Sequence, residues 1–137
     1  MNVTVITKLN DEQITKLNHL YQNERVTKDR NIEDIKLMLE KTSYVFGFCE
    51  PSTNELIGFA RVITDSIYKA FIFDVLVDSE YRNKGLGKVI MNTILDHPVI
   101  KKVEHIELYC QDKMVPYYEQ MGFKTRQSLL LRKEMLR

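Results

Sequence analysis

The segment Val77-Asp-Ser-Glu-Tyr-Arg82-Asn-Lys-Gly85-Leu-Gly87-Lys88 carries the strongest structural signal in this chain. An almost continuous apolar run, Ala70 to Val77, leads into it and predicts a strand near the middle of a sheet, covered on both faces. Beyond it, apolar side chains recur at helical spacing from Gly85 to about Asp96, and Pro98 prevents the helix from continuing. The segment therefore predicts a buried strand that leads through a glycine-containing loop into a helix.

This junction of strand and helix has the properties of an anion site. The first turn of a helix leaves backbone N–H groups unpaired and carries the positive end of the helix dipole. Gly85 and Gly87 let that backbone approach a phosphate without interference from a Cβ atom. Positive charge is added at the same place by Arg82, Lys84 and Lys88. The residues alone thus indicate a site for a pyrophosphate.

Two common phosphate-binding loops do not match this segment. A P-loop requires GxxxxGK[ST], but Gly85 and Gly87 are too close together and Lys88 is followed by Val89. The dinucleotide-binding fingerprint requires GxGxxG, and the position of its third glycine is Ile90. Neither a P-loop nor a dinucleotide-binding fold is predicted.

The remaining patterns predict a single α+β domain over residues 1–137, with a mixed central β-sheet flanked by helices. Before the segment, in chain order, we predict a strand, two helices and a hairpin of two strands: Val3–Thr7, Asn10 to about Tyr21, Asn31 to about Thr42, Tyr44–Cys49 and Leu56–Thr64. After it we predict a strand, a short helix closed by Gly122, and a last strand: His105–Cys110, Met114–Met121 and Leu129–Met135.

The composition argues against several classes of protein. Twenty basic and nineteen acidic residues give a formal net charge of +1, so no long-range field attracts nucleic acid or an anionic membrane. The apolar stretches are too short to cross a bilayer and Met1–Asn10 lacks the features of a secretory signal, so we expect a cytoplasmic protein. Cys49 and Cys110 lack CxxC spacing and neighbouring histidines, so we expect reduced thiols and no metal.

The pattern Arg82-x-x-Gly85-x-Gly87 resembles the acetyl-coenzyme A signature [Q/R]xxGx[G/A] of the GCN5-related N-acetyltransferase (GNAT) family. In that family the signature also follows a central strand and opens a helix. The later pattern Tyr118-Glu-Gln-Met-Gly122-Phe123 and the predicted order of elements, β-α-α-β-β-β-α-β-α-β, are similar as well. The resemblance covers nearly all of the chain and is strongest from Phe73 to Phe123.

This resemblance implies a binding site for acetyl-coenzyme A as cosubstrate. The backbone of the central strand would pair with the pantetheine arm where that strand separates from its neighbour, at Val75, Leu76 and Val77. The loop and the first turn of the helix would hold the pyrophosphate, through Arg82, Asn83, Lys84, Gly85, Leu86, Gly87 and Lys88. In the family the amine attacks the thioester directly, so Cys110 is not expected to act as a nucleophile.

The resemblance and the chemistry of acyl transfer also give two candidate catalytic residues. Tyr118 has the position from which the family places a phenol near the sulfur, where it would protonate the departing thiolate. If the phase of the helix shifts by one residue, Tyr117 takes the place of Tyr118 as the proton donor. Asp74, the acid of the central strand, is the candidate base, although pairing with a neighbouring strand is an equal alternative. Weaker candidates are Glu50, Glu80, Glu107 and Glu119, and many relatives use a water chain instead.

We therefore expect an N-acetyltransferase that moves the acetyl group of acetyl-coenzyme A to a primary amine of a small molecule. The alternatives are a protein or peptide N-acetyltransferase and a catalytically silent acyl-coenzyme A binding module. The acceptor would lie near Gln22–Arg30, where Glu24 and Asp29 suit an amine, whereas Arg25 and Arg30 suit a carboxylate or phosphate.

Two further expectations concern residues after the central helix. Family relatives often pair through C-terminal strands, and Leu129–Leu131 would supply such an edge, so a homodimer is predicted. Many relatives carry an asparagine before the YxxxGF pattern. Here Gln111 or Asp112 takes its role, or the role is absent.

Overall fold

The computed structural model describes all residues from Met1 to Arg137. Its strands are β1 (Thr4–Ile6), β2 (Tyr44–Cys49), β3 (Leu56–Thr64), β4 (Lys69–Val77) and β5 (His105–Leu108). Its helices are α1 (Asp11–Gln22), α2 (Ile32–Lys41), α3 (Leu86–Leu95) and α4 (Val115–Glu119). None of these helices is both long enough and apolar enough to cross a lipid bilayer.

The five strands form one sheet in the order β1-β2-β3-β4-β5. Neighbouring strands from β1 to β4 are antiparallel, whereas β4 and β5 are parallel. The parallel pair is joined by a crossover through α3, which is the connection that parallel strands require. This arrangement confirms the predicted α+β fold with a mixed sheet.

Two apolar layers hold the helices against the sheet. On one face, α3 buries Leu86, Ile90 and Ile94 against side chains of β2, β3 and β4. On the other face, α1 and α2 bury side chains such as Leu17 and Ile35 against Phe59, Leu56 and Leu76. Each fully buried side chain of this size contributes about 1.5–3 kcal/mol. The two layers place the start of α3 on one side of β4 and the loop between α1 and α2 on the other.

The starts of α1 and α2 follow the predicted capping residues. The Asn10 side chain accepts a hydrogen bond from the Gln13 amide, and the Gln13 side chain accepts one from the Asn10 amide, which completes a capping box. Asn31 caps α2 by accepting a hydrogen bond from the Asp34 amide. Gly122 has a φ of +94°, the left-handed conformation predicted for the residue that closes α4.

Other predictions about the elements need correction. No strand forms after Phe123, and Leu129 and Leu131 are 88% and 90% exposed. A strand needs backbone hydrogen bonds to a neighbouring strand, and this segment pairs with neither edge of the sheet. The faces of β4 are also not equally covered. Phe71 and Phe73, on the face of α1 and α2, are only half-buried because neither helix reaches over them.

Candidate active site

The loop before α3 has the geometry of an anion-binding nest. Gly85 is the N-cap of α3 with a φ of +86°, and no side chain caps this helix. Asn83 also has a positive φ, +62°. The backbone amides from Asn83 to Lys88 donate no hydrogen bond to another protein group. Unpaired N–H groups at the start of a helix attract anions, so this loop suits a pyrophosphate.

Three exposed cations surround this nest. The Arg82 Nε donates to the Val77 carbonyl over 3.4 Å, and its Nη2 lies 3.6 Å from a carboxylate oxygen of Glu24. Lys84 Nζ lies 5.5 Å from the centroid of the Tyr81 ring, and Lys88 is in the first turn of α3. Exposed ion pairs contribute only about 0–1 kcal/mol, so Arg82 can turn towards a phosphate at little cost.

Strands β4 and β5 separate beside the nest. Their pairing runs from Lys69 opposite His105 to Ile72 opposite Leu108 and then ends. The pairing of β4 with β3 continues to Val77, so only the edge that faces β5 is open from residue 73 to residue 77. An extended ligand with amide groups can add to an open strand edge through backbone hydrogen bonds. The pantetheine arm of coenzyme A has these properties, and Val75, Leu76 and Val77 lie on this edge.

A bulge in β4 places Asp74 at the start of the open edge. Asp74 has a φ of +55°, and the pairing of β3 with β4 is irregular between Phe59 and Arg61. Such a conformation costs a non-glycine residue about 1–2 kcal/mol. The bulge directs the Asp74 side chain to the face of α1 and α2, where its hydrogen bonds offset this cost.

A single oxygen of Asp74 accepts three hydrogen bonds. Oδ2 lies 2.8 Å from Tyr21 Oη, 2.8 Å from Arg30 Nη1 and 2.7 Å from Arg61 Nε. Burial acts to raise the pKa of Asp74, but the hydrogen bonds from Arg61 and Arg30 outweigh it and hold that pKa below its usual value. The carboxylate is therefore ionised at neutral pH and has little tendency to take a proton. Of the two roles open to Asp74 from the sequence, this geometry favours pairing with a neighbouring strand.

Sequence reasoning missed both Tyr21 and Arg61 as partners of Asp74. A usable signal was present, because Arg61 is the one charge in β3 and Asp74 interrupts the apolar run of β4. Opposite charges in two adjacent apolar strands indicate a pair on one face of the sheet. No comparable local signal identifies Tyr21, whose spacing in α1 is that of a core residue.

The two neighbouring tyrosines of α4 have different surroundings. A Cβ atom added to Gly87 would lie 3.3 Å from the Tyr117 hydroxyl, so Tyr117 reaches the first turn of α3. The Tyr118 ring instead lies edge-on to Phe123, 5.9 Å between centroids, and packs against the core under α3. Burial raises the pKa of both phenols, and Tyr117 and Cys110 raise that of Tyr118 further. Both hydroxyls keep their protons at neutral pH and can donate them.

The weaker acid candidates lie apart from the bulge. Glu50 accepts hydrogen bonds from Ser52 and Thr53 in the turn between β2 and β3. Glu107 pairs with Lys69 at 2.8 Å. Glu80 and Glu119 are exposed, as are Gln111 and Asp112. Cys49 is buried and Cys110 exposed, and both are free thiols.

Comparison with known proteins relates this geometry to a family. A model of the acetyltransferase (GNAT) family matches residues 8–123. The uncharacterized N-acetyltransferase ycf52 of Porphyra purpurea is 27% identical over 116 residues, which cover 80% of this chain and 67% of that protein. The chloroplastic GCN5-related N-acetyltransferase 1 of Arabidopsis thaliana is 29% identical over 94 residues, covering 69% and 48% of the two chains. The histone acetyltransferase TAP1 of Glycine max is 35% identical over 70 residues, covering 51% and 30%.

The matched region of this chain spans between 30% and 67% of the lengths of these three relatives. Solved structures match over almost the whole fold. A putative acetyltransferase of the GNAT family from Xanthomonas campestris has a TM-score of 0.83 and 28% identity, covering 98% of this chain and 94% of that one. A putative acetyltransferase from Deinococcus radiodurans has a TM-score of 0.79 and 24% identity, covering 96% and 88%. The matched region includes the anion nest, the open edge of β4 and helix α4, and the chain belongs to the acetyltransferase (GNAT) family.

Proposed function

We propose that the protein transfers the acetyl group of acetyl-coenzyme A directly to a primary amine of a small molecule. One observation carries the proposal. The open edge of β4 from residue 73 to residue 77 leads to the unpaired amides between Asn83 and Lys88. A ligand in which an amide-bearing arm is joined to a pyrophosphate matches both features in this order.

In the proposed reaction, the neutral amine attacks the carbonyl carbon of the thioester and the C–S bond breaks. A backbone N–H between Val75 and Val77 polarises the carbonyl oxygen as negative charge develops on it. The Tyr118 hydroxyl gives a proton to the departing thiolate, and the excess proton of the new amide leaves through water. We assign Asp74 the task of orienting Arg30 and Arg61 rather than accepting this proton, because three hydrogen bonds already stabilise its ionised form.

A small acceptor is favoured by contacts of the loop between α1 and α2. Glu24 reaches Arg82 at the anion nest, and Arg30 reaches Asp74 at the bulge. We call the space beside the open edge of β4, from residue 73 to residue 77, the cleft. The loop borders the cleft at two points and narrows the space in which an extended peptide would lie. A peptide acceptor remains the alternative, since one relative is named a histone acetyltransferase. A cytoplasmic location and a homodimer stay predictions from the sequence.

Titration calorimetry with acetyl-coenzyme A tests the proposed cosubstrate site. We expect saturable binding to the wild type and at least a tenfold higher Kd for Gly87→Glu, whose carboxylate would occupy the nest, a loss of about 1.4 kcal/mol or more. Asn92→Glu is the matched control, because it adds the same charge to an exposed position of the same helix. If the two variants bind acetyl-coenzyme A with equal affinity, the nest is not part of the binding site.

Measurement of turnover distinguishes acetyl transfer to small amines from acetyl transfer to peptides and from binding without catalysis. Acetyl-coenzyme A and a panel of small amines and peptides are incubated with the protein, and free thiol is measured. Release of thiol with small amines supports the proposal, and release with peptides alone supports the alternative acceptor. Tight binding of acetyl-coenzyme A without any turnover would identify a silent binding module instead.

A further inference from the structure

We propose that the acceptor amine also carries an anionic group, a carboxylate or a phosphate, and that Arg30 and Arg61 bind this group beside Asp74. The inference rests on the proposed acetyl transfer and names the class of its acceptor. It assigns Arg61, a residue of the central sheet, to substrate specificity.

The first support is the supply of free donors at this cluster. All three hydrogen bonds to Asp74 converge on Oδ2, and Arg61 uses only its Nε. Its two terminal nitrogens, Nη1 and Nη2, form no hydrogen bond within the protein. No buried side-chain nitrogen or oxygen of the molecule lacks a partner, so these nitrogens must reach solvent. A guanidinium offers its terminal N–H groups as a planar fork that fits carboxylate and phosphate oxygens.

The second support is the charge of the cluster. Arg30 and Arg61 face a single carboxylate, so the group keeps an excess of one positive charge. Burial and the nearby Asp74 carboxylate raise the pKa of Tyr21, so Tyr21 stays neutral and adds no negative charge. Glu107, opposite Phe71 on β5, is already paired with Lys69 at 2.8 Å. An anionic ligand would complete the charge balance of a partly buried site.

The third support is the rigidity of the two arginines. The Arg30 guanidinium lies over the Tyr21 ring, 4.6 Å from its centroid, and the Arg61 guanidinium lies 4.9 Å from the centroid of Phe73. Their side chains are 32% and 12% exposed, so each head group is held while part of it faces the cleft. Donors that are fixed before a ligand arrives lose less entropy when it binds.

The position of the cluster suits an acceptor rather than the cosubstrate. The nest that would hold the pyrophosphate opens α3, which covers one face of the sheet. Asp74, Arg30 and Arg61 lie on the opposite face, at the point where β4 leaves β5. An acceptor bound there would approach the thioester from the side opposite α3.

The same face offers an apolar surface next to the arginines. Phe71 stacks on Phe73 with 4.9 Å between ring centroids, and the exposed Tyr109 lies 4.7 Å from Phe71. A carbon skeleton between the anion and the amine of the acceptor would contact these rings. The surface and the arginines together describe an amine with an anionic head and a partly apolar body.

Matched pairs of amines test the inference. Each pair differs in the anionic group alone: phenylalanine and phenethylamine, lysine and cadaverine, glucosamine 6-phosphate and glucosamine. We expect the anionic member of at least one pair to have a kcat/KM about 10- to 100-fold higher, because charge-assisted hydrogen bonds would be lost with the neutral member. Preference within the first two pairs identifies a carboxylate, and preference in the third identifies a phosphate.

Variants connect this preference to the two arginines. Arg30→Met should reduce the preference about tenfold or more through the KM of the acceptor, with the Kd of acetyl-coenzyme A unchanged. Arg61→Lys and Arg30→Lys should each reduce it by a smaller factor, because lysine keeps the charge but loses the fork. Lys101→Met, an exposed residue outside the cleft, is the control. Thermal unfolding verifies that each variant is folded.

Equal kcat/KM values within every pair, or a preference that survives undiminished in folded Arg30→Met and Arg61→Lys, would overturn the inference while acetyl transfer stands. If acetyl-coenzyme A binds but no amine is acetylated, the proposed function fails, and the anion site is then measured by itself. Calorimetry with 3-phenylpropionate and with inorganic phosphate, in the presence of coenzyme A, should show binding to the wild type that Arg30→Met weakens. No binding of either anion would reject the site.

Discussion

At the scale of single residues, Asp74 contributes both to the stability of the fold and to the structure of the candidate site. Because it is the only counter-charge for Arg30 and Arg61, we expect Asp74→Asn to lower the free energy of unfolding by about 3 kcal/mol. Urea unfolding of the two proteins at pH 7 measures this difference. A decrease in the free energy of unfolding below about 0.5 kcal/mol would mean that water stabilises the two arginines as well as the carboxylate does.

The pH dependence of stability follows from the same residue. The pKa of Asp74 in the folded protein is below its unfolded value, so its contribution is complete above about pH 4 and is lost as pH falls through the folded pKa. Wild-type stability should therefore fall more steeply from about pH 5 to pH 3 than that of Asp74→Asn. Urea midpoints over this range test the difference, and parallel curves for the two proteins would contradict it.

The tyrosines of α4 should separate binding from chemistry. Tyr118→Phe should lower kcat about 10²- to 10⁴-fold if its hydroxyl protonates the thiolate, with little change in the Kd of acetyl-coenzyme A. Tyr117→Phe should mainly change that Kd, because its hydroxyl lies beside Gly87. Steady-state kinetics and calorimetry on both variants distinguish the two residues. The reverse pattern would make Tyr117 the proton donor.

Gly85, in the anion nest, and Gly122, outside it, form a matched pair of positions for testing the nest. Gly85 and Gly122 have φ values of +86° and +94°, and a Cβ atom at either would meet no other atom within 4 Å. Each change to alanine should cost about 1 kcal/mol of stability through backbone strain alone. We expect Gly85→Ala to raise the Kd of acetyl-coenzyme A several-fold more than Gly122→Ala does. Similar Kd values would show that the shape of the loop does not determine binding.

At the scale of elements, β4 shows what the sequence predicts and what it does not. The apolar run predicts a strand, and the β2–β3 hairpin and the start of α3 follow from local patterns of the same kind. The bulge at Asp74 is different, because it depends on partners in α1, in β3 and in the loop after α1. The charges in β3 and β4 indicate the pair of Arg61 with Asp74, but no local pattern brings Tyr21 and Arg30 to the same oxygen, so the complete cluster was found only in the structure.

Strand β4 and helix α3 should respond together to the cosubstrate. Acetyl-coenzyme A would pair with the edge from residue 73 to residue 77 and with the amides from residue 83 to residue 88. We expect amide hydrogen exchange of both segments to slow in its presence, as measured by mass spectrometry of peptides. The hairpin of β2 and β3 serves as an internal reference. Slower exchange of the reference alone would place the cosubstrate elsewhere.

At the scale of the whole molecule, the C-terminal segment is where sequence prediction failed. Leu129, Leu131 and Met135 suggested a strand, but the segment pairs with neither of the free edges of the sheet, on β1 and β5, and its leucines stay exposed. In the predicted homodimer, a second copy would supply the partner edge. We therefore expect the full chain to be a dimer and a chain ending at Thr125 to be a monomer in light scattering after size-exclusion chromatography. A monomeric full chain would reject this role.

The anion nest has a consequence for how this molecule can change over evolutionary time. Its donors are main-chain amides, which nearly any residue supplies as long as Gly85 keeps its turn and residue 87 stays small. The arginine cluster, in contrast, consists entirely of side chains, and single codon changes at positions 30 and 61 alter its charge. On the proposed assignments, selection can exchange the acceptor in one or two mutational steps while the acetyl donor is retained.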